Sequence, residues 1–293
     1  MRCCQCLSAP APPPPRFAKA TVSRNGAPTL HQLLQYKAPE HAILDRISTH
    51  PDEAQQADNG MLPLHSAALH GGTEAIVASL LLAWPAAAGQ RSHSGLLPLH
   101  YAVWYGASPT LVRMLLAAFP DGAKTRTTAG GGSWLPWASD TGALPLHLAA
   151  RAQAPAEVVS MLLARNPHAA RALDRDGYSP LHHQCRNGSP LAAVEAMLAQ
   201  CPKAAALEDR DNGWLPLHCA AMATQPVEGV LAAVLAAYPW GAKVQDRFGM
   251  LPLYYAHHNK AKGGVAIRMA GNLVRAFPEG KKQLDERGWR KAR

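Results

Sequence analysis

One tetrapeptide returns along this chain at a nearly constant interval, and that limits the possible folds more than any other feature. Leu-Pro-Leu-His stands at 62–65, 97–100, 144–147 and 215–218, with close variants at Ser179-Pro-Leu-His182 and Leu251-Pro-Leu-Tyr254. The intervals between first residues are 35, 47, 35, 36 and 36. A period of this size means an array of supersecondary units, each too small to bury its own apolar face. The long interval is one period plus about twelve residues, and the surplus lies near 125–139. It contains Gly130-Gly131-Gly132-Ser133-Trp134, a loop by composition.

Each unit carries more than the tetrapeptide. A glycine stands two residues before it in every copy: Gly60, Gly95, Gly142, Gly177, Gly213 and Gly249. An aspartate usually precedes that glycine by two or three positions (Asp58, Asp140, Asp174, Asp211, Asp246). Asp then Gly is turn chemistry, because Asp bonds its own backbone and Gly accepts positive φ. Proline in the tetrapeptide presets a first helical turn. A second start signal follows: Ser108-Pro109 and Ser189-Pro190 read as an N-cap with Pro at the first helical position, while Ala154-Pro155 and Gln225-Pro226 keep the Pro. Next come apolar stretches such as Leu111-Val112-Arg113-Met114-Leu115-Leu116, with a 3.6-residue period. Pro85, Pro120, Pro167, Pro202, Pro239 and Pro278 close them. One unit is therefore turn, short helix, loop, longer helix, exit. Stacked units bury Leu and Ala against their neighbours, each inward Leu contributing roughly 1.5–3 kcal/mol.

Turn glycine, Pro-Leu-His, an Ala pair such as Ala67-Ala68 or Ala149-Ala150, and a second helix ending in Leu-Leu make the chain resemble the ankyrin-repeat family. The resemblance covers six units from residue 58 to about 280, and Thr29-Leu30-His31 with Pro51 matches the register of a degenerate N-terminal capping unit. It implies an all-α helical solenoid. The expected layout is an N-terminal arm over residues 1–28, a repeat domain over 29–280 and a basic tail over 281–293. Three features depart from the family pattern. Its motif Thr is Leu here except at Ser179, its exit Gly is replaced by Pro-x-Ala/Gly-Ala, and its mid-repeat Gly is Gln153, Thr224 and Lys260 in units three, five and six. Helix ends and turn tips are expected to differ there.

The same resemblance implies a groove, lined by the turns and the exposed side of the first helices, that holds a partner protein. Register carries it onto Met61, Leu96, Tyr178, Trp214 and Met250 after the turn glycines, and onto Leu69, His70, Trp104, Tyr105, Arg151, Arg186 and Met222 on the first helices. These positions vary from unit to unit while the framework does not. Trp, Tyr, Met and Arg are types that carry interface energy. The bland alternative is that Trp104 and Tyr105 only pack against the neighbouring turn.

Other chemistries find little support. Of 14 histidines, His65, His100, His147, His182 and His218 belong to the repeat itself and are expected to bond backbone between units. His182-His183-x-Cys185 lacks a second ligand pair at zinc spacing, so no metal site is expected. No phosphate loop, nucleophile elbow or zincin motif occurs, so no catalytic residue, cofactor or small-molecule substrate is expected. The net charge of +9 could suggest nucleic acid, but residues 39–280 carry 18 bases and 18 acids, which leaves the excess on the tails. Tail-mediated binding to nucleic acid or an anionic membrane is the alternative function, with metal binding by motif histidines behind it; deleting both tails separates the first from groove binding. Three of six cysteines crowd the first six residues beside Pro12-Pro-Pro-Pro15, a segment readable as a disordered arm, an organelle transit peptide or an S-acylated membrane anchor. Myristoylation is excluded by Arg2. A monomeric, cytoplasmic, non-enzymatic scaffold is expected, with organelle targeting as the alternative location.

Overall fold

A computed structural model describes residues 28–128, 142–227, 229–259 and 264–281. The Gly-rich insert and both tails expected from the sequence lie outside them, apart from residues 28 and 281 and the edges of the insert. The described chain forms consecutive helix pairs: α1 (Leu30–Gln35) with α2 (Glu40–Thr49), α3 (Pro63–His70) with α4 (Glu74–Ala83), α5 (Pro98–Trp104) with α6 (Pro109–Ala118), α7 (Pro145–Arg151) with α8 (Ala156–Arg165), α9 (Pro180–Asn187) with α10 (Leu191–Gln200), α11 (Pro216–Met222) with α12 (Val230–Ala237), and α13 (Pro252–His258) with α14 (Gly264–Ala276). Among the described residues there is no strand, only one isolated bridge between Asp58 and Met61.

Odd-numbered helices pack on one another in sequence order and form an inner layer; even-numbered helices do the same and form an outer layer. Inner helices can approach closely because Ala67, Ala102, Ala149 and Ala220 stand at the contact and are fully buried. Val77, Val112, Val159 and Val194 fill the seam below them. No described helix is long and apolar enough to cross a membrane.

The family departures have visible consequences. Leu62, Leu97, Leu144, Leu215 and Leu251 replace the motif hydroxyl and are buried, so apolar packing takes the place of a cap bond. Only Ser179 keeps it, its Oγ lying 2.7 Å from His182 Nδ1. Each Pro-x-Ala/Gly-Ala exit folds into a tight 3-10 turn, as in Pro85–Gly89 and Pro202–Ala206, whose small residues sink into the core. At the mid-repeat position Gly71, Gly106 and Gly188 take positive φ, and Gln153 copies them at φ 55. Unit five, by contrast, leaves its inner helix through Ala223 at φ −52, ψ 128, and unit six through Asn259 at φ −61, ψ 123. Asn259 Nδ2 then donates to the Ala221 and Ala223 carbonyls at 2.9 and 3.0 Å, tying together the two helix ends that lack glycine.

Two start signals act differently from the sequence expectation. Ser108 caps α6, accepting from Leu111 N at 3.2 Å. Ser189 does not cap α10, whose N-cap position is Pro190: it is buried and its Oγ donates at 3.1 Å to the Ala150 carbonyl, in the last turn of α7 where helix carbonyls lack partners. The Gln225-Pro226 signal is passed over, and α12 starts later, with Gly229 at φ 90 before Val230.

The motif histidines lock the stack. In unit two His100 Nδ1 accepts the Leu97 N–H at 2.9 Å, which obliges Nε2 to carry the proton, and Nε2 donates to the Thr125 carbonyl at 3.0 Å. His147 repeats this with Leu144 N and Ala172 O at 3.1 and 3.0 Å. His65, His182 and His218 likewise accept from their N-cap amides and donate to carbonyls at Gln90 and Leu96, Trp214 and Met250. Even the capping unit joins in, since His31 Nε2 donates to Gln56 O at 2.9 Å. Burial disfavours the charged ring, lowering the pKa of His65, His100, His182 and His218 to about 4 and of His147 to about 3. The unfolded chain takes up these protons from about pH 6.5, while the folded chain resists until about pH 4. As far as these rings go, stability is therefore complete above pH 6.5 and falls through that window as each ring takes up its proton in the unfolded chain. Helicity followed by circular dichroism should collapse cooperatively between pH 6.5 and 4; a chain still fully helical at pH 4 would contradict the neutral-ring lock.

Candidate functional site: the inner face

From unit two onward, the turn that precedes each inner helix is built around one buried acceptor. Asp174 Oδ1 accepts from Tyr178 N at 2.9 Å and Asp246 Oδ1 from Met250 N at 2.9 Å. In unit five the acceptor is Asp209, taking Trp214 N at 2.5 Å, and not the exposed Asp211 expected from the spacing. Ser92 and Thr127 do the same work in units two and three, accepting from Leu96 and Ala143 at 3.4 and 3.0 Å. Asp140 lies outside the described residues. Adjacent turns then join through main chain: Arg210 N donates to the Gly177 carbonyl at 3.2 Å. Gly177 has φ 79, and a Cβ there would lie 2.4 Å from Arg210 Cβ, so both the turn and its neighbour exclude a side chain.

A second bond secures three of these acceptors to the inner helix behind them. Tyr101 OH lies 3.1 Å from Ser92 Oγ, His183 Nε2 lies 2.7 Å from Asp174 Oδ2, and Tyr255 OH donates to Asp246 Oδ2 at 2.5 Å. Burial opposes the Asp174 carboxylate, yet the His183 bond and charge keep its pKa below the usual range. Burial and the Asp246 bond push the Tyr255 phenol up.

What remains is a strip across the units. The Arg151 guanidinium stacks 5.8 Å from the Trp104 ring centre, and that of Arg186 lies 5.9 Å from Tyr178. Arg186 Nη1 also reaches Tyr178 OH at 3.5 Å. These four side chains, with Tyr105, His70 and Met222, are half-buried: each keeps one side against the framework and one toward solvent. Burial lowers the His70 pKa and raises that of Tyr178 to about 12.

Not every residue assigned to the groove belongs to it. Met61, Leu69 and Leu96 are only 4, 7 and 2% exposed and form part of the core. Met61 and Leu96 turn into the core although the Leu96 backbone is held just as that of Trp214 is, its N by Ser92 Oγ and its O by His65 Nε2. Trp214 is half spent: Nε1 donates to Asp246 Oδ2 at 3.0 Å and to Tyr255 OH at 3.2 Å, stapling unit five to unit six. Met250 is half-buried in the same corner, its amide held by Asp246. Thus the bland alternative describes Trp214 better than Trp104. Sequence reasoning passed over Arg91 and Arg126, exposed on the second and third turns. The signal was there, since they are 35 residues apart, one repeat.

Among the described residues, no group of three or more His, Cys, Asp or Glu is placed to hold a metal. Cys185 and Cys219 are buried free thiols whose pKa values burial pushes up, which makes them poor nucleophiles.

Stacked helix pairs with histidine locks and a variable inner strip define a helical-repeat recognition domain. The family model for ankyrin repeats matches residues 20–128 and 146–237, and the chain belongs to the ankyrin-repeat family. Family members generally serve as protein–protein interaction modules. Among solved structures it is similar to the ankyrin repeat domain of Bcl-3, described as a member of the IkappaB protein family, at 23% identity and a TM-score of 0.54, covering 83% of this chain and 98% of that one. It is also similar to the human ASB11 ankyrin repeat domain, at 21% identity and a TM-score of 0.54, covering 85% and 98%. No curated protein matches.

The two tryptophans should separate in stability measurements. Trp214→Ala breaks an inter-unit staple to a carboxylate and should cost about 2–3 kcal/mol. Trp104→Ala removes a half-exposed ring and should cost about 1 kcal/mol. Urea unfolding of both variants checks this, and a larger loss for Trp104→Ala would reverse the assignment.

Proposed function

We propose that this chain is a non-catalytic scaffold that holds a partner protein against the inner strip of units two to five. One contrast carries the reading. The repeated framework groups are consumed internally, both ring nitrogens of each motif histidine included. The residues that differ among units (Trp104, Arg151, Tyr178, Arg186 and Met222) gather half-exposed on one face. Aromatic, Arg and Met side chains held by a rigid backbone lose little freedom on binding, which is what an interface anchor needs.

A photo-crosslinking residue in place of Tyr105 on the inner face, and in a second chain in place of Leu82 on the outer face, tests it in native extract. Leu82 is 85% exposed and serves as an outer-face control. A discrete protein adduct should form from position 105 and not from position 82, and Trp104→Ala should abolish it without unfolding the chain. Adducts arising only from position 82 would move the recognition surface to the outer layer.

A further inference from the structure

The chemistry of the inner face narrows the kind of partner it accepts. None of the seven inner helices contains an Asp or Glu, whereas Arg151 and Arg186 project from the ends of α7 and α9. Above them, the turns carry Arg91 and Arg126. Their guanidiniums bond neutral oxygens: Arg91 reaches Gly95 O and Arg126 O at 2.5 and 3.1 Å, and Arg126 reaches Gly142 O and Leu173 O. Each is thereby fixed across to the next unit, and among the described residues neither bonds a carboxylate. Carboxylates reach the exposed surface on later turns, at Asp176, Glu208 and Asp211, and the unit-three turn carries Asp140 outside the described residues; the described turn residues around Arg91 and Arg126 hold none.

The four cations form two pairs with the same interval. Arg91 and Arg126 are 35 residues apart on the turns, and Arg151 and Arg186 are 35 apart on the inner helices. Equal sequence intervals in a stacked array mean equal spatial steps, about 10 Å for packed helices. A peptide in the extended polyproline II form advances about 3.1 Å per residue with three residues per turn, so every third side chain faces the same way and spans one step. Aromatic faces lie beside the lower pair, Trp104 under Arg151 and Tyr178 under Arg186.

We propose that the inner face binds an extended acidic segment of a partner protein, with Asp or Glu at every third residue meeting the Arg91–Arg126 row and apolar side chains resting on Trp104 and Tyr178. This rests on the inner-face reading above and adds the partner's charge, conformation and spacing. Guanidiniums held by carbonyls lose little entropy when a carboxylate arrives, which favours ordered recognition over diffuse attraction.

The probe is a fluorescent peptide of about a dozen residues, enough to cross four units, with Glu at every third position and Leu and Ala between. Its controls are the same composition with the Glu residues clustered, a Gln-for-Glu version, and single-stranded DNA of equal charge. Each is titrated by fluorescence anisotropy against the full chain and against an R91Q/R126Q variant. Gln retains donors for the turn carbonyls, and a thermal melt checks that the variant folds. The spaced Glu peptide should bind best, and R91Q/R126Q should weaken it about tenfold. Equal affinity for the clustered peptide or for DNA would overturn the proposal, as would indifference to R91Q/R126Q. If that happens while position 105 still crosslinks a partner, the inner-face reading stands and only the acidic segment is lost. If position 105 yields no adduct, the inner-face reading itself falls.

Discussion

The stack depends on the imidazole that bridges each unit to the next. Nδ1 takes the amide at the start of its own helix, and Nε2–H reaches a carbonyl in the following turn. The ring satisfies a donor that any helix start leaves orphaned and an acceptor that any exposed turn leaves orphaned. It does so only while neutral, because a proton on Nδ1 would confront the N-cap amide. Every layer of the molecule follows: inner helices held at one separation, turns aligned in a row, and outer helices packed behind them.

That lock also explains why a recognition strip exists. Buried acceptors such as Asp174, Asp209 and Asp246 fold the turns back on themselves, and Tyr101, His183 and Tyr255 anchor Ser92, Asp174 and Asp246 to the inner helices. Once these framework bonds are made, the side chains that vary among units are left half-exposed on the inner face. Trp104 and Arg186 are half-buried there, Arg186 reaching Tyr178 OH, whereas the Trp214 indole N–H is tied to Asp246.

The repeat, the helix order and the capping unit at Leu30 could be read from the chain, because period, proline and glycine act locally and recur. Ser189 and Asp211 could not be placed correctly, since each has a competing bond or acceptor that sequence spacing does not display: the Ala150 carbonyl one unit away for the serine, and Asp209 two residues earlier for the turn. Met61 and Leu96 share a register position with Tyr178 and Trp214, yet the first two are buried and the others half-exposed. Register places a Cα; it does not say whether a flexible apolar chain turns inward.

Taken alone, the amino-acid order determined that units repeat, which helix faces are apolar, and that a cap ring recurs, because these follow from short-range sterics and hydrogen-bonding capacity. Tertiary structure decided which variable side chains remain available. Availability depends on contacts between residues some 35 positions apart, such as Arg91 on the Arg126 carbonyl, and these exist only once neighbouring units are stacked.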